Sequence, residues 1–327
     1  MKSPFLRWGL LGTARINRAL IPAIRAASRS EVVAIASREG VRADAYAREW
    51  EIPTAHGSYE AMLADPEIDA IYLPLPNHLH AEWSMRAARA GKHVLCEKPL
   101  ALTLAEVDAM AAAARDAHVV LAEAFMYRHH PQTPQVAALV AGGAVGSPRL
   151  VRGAFTFTLD RPGDVRLRPE WGGGSLWDVG CYPVSYAILL AGGAPERVTG
   201  AAHVGATGID ETFAGTLQFP SGVLAVFDCG FRAPFRTELE VVGDEGVLVV
   251  EHPFKPGVRE QLRIVRPHGV ETIAVEGEPL YVGEIQDFER AVLDGAPPVV
   301  PLAESRTIVQ TLTALHESAS TAVARPL

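Results

Sequence analysis

The chain has 327 residues, of which 48% are hydrophobic and 21% charged, the balance of a folded globular protein rather than a disordered or fibrous one. A formal charge of -8 argues against a nucleic-acid partner, which demands clustered positive charge. The length favours two domains over a single core.

In chain order, Phe5 to Leu11 reads as a buried strand and Arg15 to Ala27 as a helix. Glu31 to Ala36 is a β-branched strand, followed by helices over Arg42 to Glu51 and Tyr59 to Leu63. Asp69 to Pro74 is a third strand. His80 to Ala90 is a helix closed by Gly91, and His93 to Cys96 a fourth strand. Thr103-Leu104-Ala105-Glu106 fits a capping box that opens a helix to Ala117, and Val119 to Ala122 is a fifth strand. Strands alternating with helices of this length predict right-handed βαβ units and a parallel sheet.

After Glu123 the pattern changes. Leu150 to Phe157, Arg197 to Val204, Thr212 to Phe219, Val223 to Phe231, Thr237 to Val242, Val247 to Glu251 and Leu262 to Val265 are strand-like. Turn signals such as Pro220-Ser221-Gly222 join several of them, which predicts a mostly antiparallel sheet. Helices are expected at Val136 to Ala141, Gly174 to Leu190, Glu284 to Asp294 and Ala303 to Thr321. The expected domains are 1–122 and 123–327.

Three cysteines, Cys96, Cys181 and Cys229, stand far apart with no metal spacing and no disulfide framework. They suit a reducing, cytoplasmic setting. Arg7 interrupts the apolar start, so the opening residues fail as a signal peptide. No apolar run reaches the roughly 18 residues of a membrane span.

Gly9-x-x-Gly12-x-Ala14 lies between the first strand and first helix. Glycines there permit a tight turn and close backbone approach to a pyrophosphate, and the helix start offers N–H groups and a positive dipole end. The bland alternative is a plain βα turn, which the flanking βαβ frame disfavours. At the end of the second strand an NAD site usually carries an acid. Here stand Ser37 and Arg38, with Glu39 only afterwards. A hydroxyl and a guanidinium fork suit a 2′-phosphate, which favours NADP, with NAD still open and Arg38 as a solvated loop charge the alternative.

Cys96-Glu97-Lys98-Pro99 follows the fourth strand at the carboxyl edge where open α/β sheets bind ligands. Lys98 there is a candidate acid/base or carbonyl polariser, against the alternative of a surface lysine. Gly172-Gly173-Gly174-Ser175-Leu176-Trp177-Asp178-Val179-Gly180-Cys181-Tyr182 places Asp178 and Tyr182 four apart, on one helical face. That pair suits holding a hydroxyl and passing a proton, although an aspartate near a helix start is more often a dipole partner.

Together with Leu-Pro-Leu-Pro-Asn-His-Leu-His at 73–80 and Glu-Ala-Phe-Met-Tyr-Arg at 123–128, these segments resemble the glucose–fructose oxidoreductase, inositol dehydrogenase and rhizopine-catabolism (Gfo/Idh/MocA) family, in its order and from end to end. The resemblance implies a Rossmann doubly wound parallel sheet, then an α/β domain with a large, mostly antiparallel open sheet. Activity on a CH–OH group of a sugar, polyol or dihydrodiol is implied as well, with Lys98 and Asp178 catalytic. Tyr182 stands where many members carry histidine. That substitution resembles the branch of dihydrodiol and aldose dehydrogenases, which commonly uses NADP.

The glycine segment Gly9, Gly12, Thr13, Ala14, Arg15 and Ile16, together with Leu73, Pro74, Asn77, His80, Glu97, Lys98 and Arg166, matches family cofactor positions. Arg128 joins Lys98, Asp178 and Tyr182 as a substrate position. Tyr182 is the first choice for the proton, its pKa lowered by the Lys98 ammonium, with Lys98 acting directly as the alternative. His129 and His130 adjoin Arg128 with no carboxylate partner evident, and no metal is expected. Family members bury the open sheet in dimers or tetramers, so a homo-oligomer is expected. Redox-assisted glycoside cleavage with a retained cofactor, and a non-catalytic cofactor sensor, are the competing readings.

Overall fold

The apolar run at the start forms strand β1 (Leu6–Leu11), buried at nearly every position, as a strand covered on both faces must be. A computed structural model describes residues 5–321; residues 1–4, the first part of the leader reading, lie outside them. The chain continues as α1 (Asn17–Ala26), β2 (Ser30–Ala36), α2 (Gly40–Glu49), β3 (Thr54–His56), α3 (Tyr59–Leu63), β4 (Ala70–Leu73), α4 (His80–Arg89), β5 (His93–Glu97), α5 (Leu104–Asp116) and β6 (Leu121–Ala124). Thr103 and Glu106 form the reciprocal capping box at α5. The strands pair in parallel in the order β3-β2-β1-β4-β5-β6. That is the doubly wound order whose reversal beside β1 opens a crevice for a dinucleotide. The short edge strand β3 lacks a legible sequence pattern, having three residues with none buried.

The second sheet follows α6 (Gln132–Ala141) and begins with β7 (Pro148–Thr158). A π-helical turn, Leu176–Gly180, runs into α7 (Cys181–Ala191). Then come β8 (Arg197–Val204), β9 (Asp210–Gln218), β10 (Leu224–Gly230), β11 (Arg232–Gly243), β12 (Val247–Val250), β13 (Arg259–Arg266) and β14 (Gly269–Glu276). Eight strands pair in the order β14-β13-β12-β11-β7-β10-β9-β8, antiparallel except for β7 with β10. Strand β14 escapes sequence reading because it is an edge strand with one buried residue and no apolar alternation. Helix α7 packs closely on β7 because Gly153 has no side chain: a Cβ there would stand 2.8 Å from the Pro183 Cβ.

The chain closes with α8 (Val282–Leu293) and α9 (Leu302–Thr321). Contacts divide it into two units, one of the residues up to His129 with Pro279–Arg306, the other of His130–Glu278 with the residues from Thr307 on. The sequence reading assigns everything after 122 to the second domain. The contacts instead return Pro279–Arg306 to the parallel sheet. Val282, Ile285 and Phe288 of α8 enter the core formed by Trp8, Leu20 and Ile24, with the Phe288 ring 5.0 Å from Trp8. Burying that stripe supplies the driving force for the return. Among the described residues no helix is long and apolar enough to cross a membrane.

Candidate functional site: a glycine turn, a lysine loop and a π-helical turn

In the first unit β1 ends at Leu11, and Gly12 after it has a φ of +118° that suits glycine alone. Asn17, wholly buried at the start of α1, donates from Nδ2 to the Gly12 carbonyl at 2.8 Å and fastens the turn. No side chain caps α1 and no acid stands in its first turn, so its positive end is left for an anion. Gly9 does something different. A Cβ on it would lie 3.0 Å from the Met62 Sδ and 3.2 Å from Ile68, so Gly9 serves the packing of the sheet. Thr13, Ala14 and Ile16 are half-buried and Arg15 exposed along the rim of the turn.

Ser37 follows β2, 6% exposed, and its Oγ accepts the Glu39 N–H. Arg38 is exposed. Arg42, in the first turn of α2, donates to the Thr13 hydroxyl at 3.3 Å. Both guanidiniums act on Tyr59: burial raises its pKa, and Arg38 and Arg42 pull it back. Tyr59 in turn places its hydroxyl 3.5 Å from where a Gly12 Cβ would stand. The glycine turn and two cations thus share one edge of the sheet, an arrangement suited to a dinucleotide carrying an extra phosphate. The sequence reading missed Arg42, although its place four residues after Arg38 was a usable signal.

The loop carrying Lys98 is held from behind by side chains of three elements. The buried Tyr72 hydroxyl of β4 donates to the Glu97 Oε1, and Glu97 Oε2 accepts the Lys98 N–H at 3.3 Å. The Lys98–Pro99 peptide is cis. The Leu100 N–H donates to the Glu123 carboxyl at 2.8 Å. His80, fully buried, meets the Pro99 carbonyl through Nδ1 and the Leu75 carbonyl through Nε2, both at 2.8 Å. Burial pushes the His80 pKa down, and a neutral ring donates to one carbonyl at a time. His80 therefore stands between two loops and ties one of them at a time. Leu73 is buried, with Pro74 and Asn77 half-buried after it. Arg128, 5% exposed, forms an ion pair with Glu304 at the start of α9.

His129 does have a carboxylate neighbour: its Nδ1 lies 3.6 Å from Asp287. Sequence could not show this because Asp287 comes from α8. Among the described residues no group of three or more histidine, cysteine or acidic side chains is placed to hold a metal.

In the second unit the glycine run accommodates other parts of the fold. A Cβ on Gly173 would stand 2.5 Å from the Arg166 carbonyl, and one on Gly174, at φ +120°, 2.1 Å from the Asp210 Oδ1. Asp210 of β9 accepts the Ser175 hydroxyl and the Leu176 N–H, both at 2.7 Å, and so supplies from a distant strand the cap for the π-helical turn. Such turns recur at functional positions. The expected helix over Gly174 to Leu190 thus begins with a wider, i→i+5 turn, and it carries Asp178.

Asp178 Oδ2 accepts the Arg166 Nε–H at 2.6 Å, and Arg166 also reaches Asp164 at 3.2 Å. These carboxylates, Asp178 above all, hold the Arg166 charge firmly in place. Tyr182, 5% exposed in the first turn of α7, lies with its ring 5.2 Å from Phe155 and 5.7 Å from Phe254. Cys96, Cys181 and Cys229 are buried, and none of the three forms a disulfide.

Residues 6–125 match the family model described as an oxidoreductase family with an NAD-binding Rossmann fold, and residues 133–249 match the Gfo/Idh/MocA C-terminal domain. The chain is 42% identical over 326 residues to a D-xylose 1-dehydrogenase (NADP(+)) of Haloferax volcanii, covering 98% of this chain and 99% of that one. It is 36% identical to a trans-1,2-dihydrobenzene-1,2-diol dehydrogenase of Danio rerio, over 80% of this chain and 81% of that one. Among solved structures, KijD10, a 3-ketoreductase from Actinomadura kijaniata in complex with NADP and TDP-benzene, superposes with a TM-score of 0.91 at 33% identity. The match covers 96% of this chain and 98% of that one.

Proposed function

The chain belongs to the Gfo/Idh/MocA family of oxidoreductases, and from that premise we propose that it is an NADP-preferring dehydrogenase. Its reaction is hydride transfer to or from the hydroxyl- or carbonyl-bearing carbon of a sugar, polyol or dihydrodiol. The observation that carries this reading is the Gly12 turn, opening on an acid-free helix start with Arg38 and Arg42 on the same edge. When bound, the nicotinamide supplies or accepts the hydride. Gly12 gives the pyrophosphate access to the backbone, Ser37, Arg38 and Arg42 hold the 2′-phosphate, and Leu73, Pro74 and Asn77 line the cofactor.

Lys98 polarises the reacting oxygen, and the Tyr182 hydroxyl gives or takes the proton. Asp178, steadied by Arg166, orients a substrate hydroxyl. Arg128 supports the site through its pairing with Glu304, a role behind the substrate rather than against it. Direct proton transfer by Lys98 is the competing assignment. Location in a reducing cytoplasm accords with three buried cysteines outside any disulfide. Self-association as a dimer or larger oligomer through the open face of the eight-stranded sheet completes the proposal, and light scattering in solution tests it.

The decisive experiment is a panel of aldoses, polyols and dihydrodiols run with NADP and with NAD. On the best substrate, Lys98→Met and Tyr182→Phe are each expected to lower turnover by about 100-fold or more, while the NADP dissociation constant changes little. Turnover retained in both variants overturns the catalytic assignment. Firm NADPH binding with no turnover across the panel supports the sensor reading instead.

A further inference from the structure

The segment Glu-Ala-Phe-Met-Tyr-Arg carries one acid, which has no role in the reaction as proposed: Glu123, at 1% exposure in β6. A carboxylate is costly to bury unless something needs it there. Its Oε1 accepts the Leu100 N–H at 2.8 Å. Proline at 99 has no N–H, and the Lys98 N–H goes to Glu97 within the same loop. The Leu100 bond is therefore the next main-chain donor contact after Lys98, made to a neighbouring strand.

We infer that Glu123 is a positioning residue, the anchor through which β6 fixes the loop that presents Lys98. The inference rests on the reading of Lys98 as an active-site group. The second oxygen, Oε2, has no hydrogen-bond partner, and the Ser305 hydroxyl sits beside the carboxyl without reaching hydrogen-bond geometry. Glu123 also lines a small cavity with His129 of the following segment and Glu284 and Asp287 of α8. The Arg128–Glu304 ion pair acts on it as well, Glu304 raising its pKa and Arg128 lowering it. Burial, the largest cause, pushes it up to about 7. The carboxyl is thus neutral or charged according to pH near neutrality, and Oε1 accepts the Leu100 N–H in either form. An uncharged amide of the same length should serve as an anchor; a shorter acid should not.

The test compares Glu123→Gln, which keeps the reach, with Glu123→Asp, which keeps the acid but withdraws it by one methylene. Glu123→Leu removes the acceptor altogether, and should it fail to fold the first two still decide. Amide hydrogen exchange of the 97–101 segment is read in the full chain with NADPH bound, and kinetics are read alongside. The expected result is wild-type protection of the Leu100 amide in Glu123→Gln and about tenfold faster exchange in Glu123→Asp. Turnover should follow the same order, with the NADPH dissociation constant within about twofold throughout. Unchanged protection in Glu123→Asp, or protection restored by Glu123→Gln without turnover, overturns the inference. If wild-type protein turns over nothing on the panel, the proposed function fails separately while the exchange comparison still decides the anchor.

Discussion

Arg42 is the single side chain on which the proposed cofactor preference can be tested most cleanly. It is exposed, yet it reaches the Thr13 hydroxyl on the glycine turn and shares with Arg38 its influence on Tyr59. Nothing in the core depends on it, so its removal should leave stability alone. Arg42→Ala is expected to raise the NADP dissociation constant about tenfold, the loss of one charge-assisted contact. The constant for NAD, which lacks the 2′-phosphate, should stay within about twofold. Fluorescence titration of both cofactors checks this, and equal weakening of both refutes the phosphate contact. Gly9 is a second lesson at this scale. Its place in the motif suggests phosphate approach, and its neighbours Met62 and Ile68 give it a packing role as well.

Among the elements, α8 is the one whose allegiance changes the picture. It follows the antiparallel sheet in sequence, but its buried stripe of Val282, Ile285 and Phe288 belongs to the core around Trp8. An apolar face packs wherever complementary surface is available, and sequence distance along a folded chain costs little beyond loop closure. Phe288→Ala is therefore expected to destabilise the parallel-sheet unit by about 3–5 kcal/mol. Denaturant unfolding followed by Trp8-sensitive fluorescence measures it. A loss below about 1 kcal/mol would mean that α8 docks loosely. The π-helical turn tells a similar story, since the Asp210 carboxylate that caps it comes from β9.

For the molecule as a whole, two neighbours in one buried cavity oppose each other in pH. Burial raises Glu123 from 4.5 to about 7, so the folded chain holds a proton there that the unfolded chain releases. Stability from this group falls as pH rises between those values. Burial first, then Arg128 and Arg290, lowers His129 from 6.5 to about 3, so the folded chain lacks a proton that the unfolded chain binds. Stability from His129 rises with pH over that window. Where the windows overlap, from 4.5 to 6.5, the two slopes cancel. Glu123→Gln removes one of them. Relative to wild type, its stability should therefore climb by roughly 1.4 kcal/mol per pH unit across the overlap, as read by denaturation at stepped pH. Parallel curves for the two proteins would show that Glu123 titrates in the ordinary carboxylate range.

Features that depend on neighbours along the chain were legible before any fold was known. The βαβ rhythm and the glycine turn between β1 and α1 are local, as are the capping box at Thr103 and the Glu97-Lys98-Pro99 loop after β5, because hydrophobic period and turn chemistry act over a few residues. Features that depend on partners far along the chain emerged with the folded structure. It returned α8 to the first unit and gave His129 its acid from that helix. It also set Tyr72 and Glu123 behind the Lys98 loop and bound Arg166 to Asp178. Those arrangements come from burying particular surfaces together in three dimensions, and contacts between residues tens to hundreds of positions apart leave no periodic trace in a single sequence.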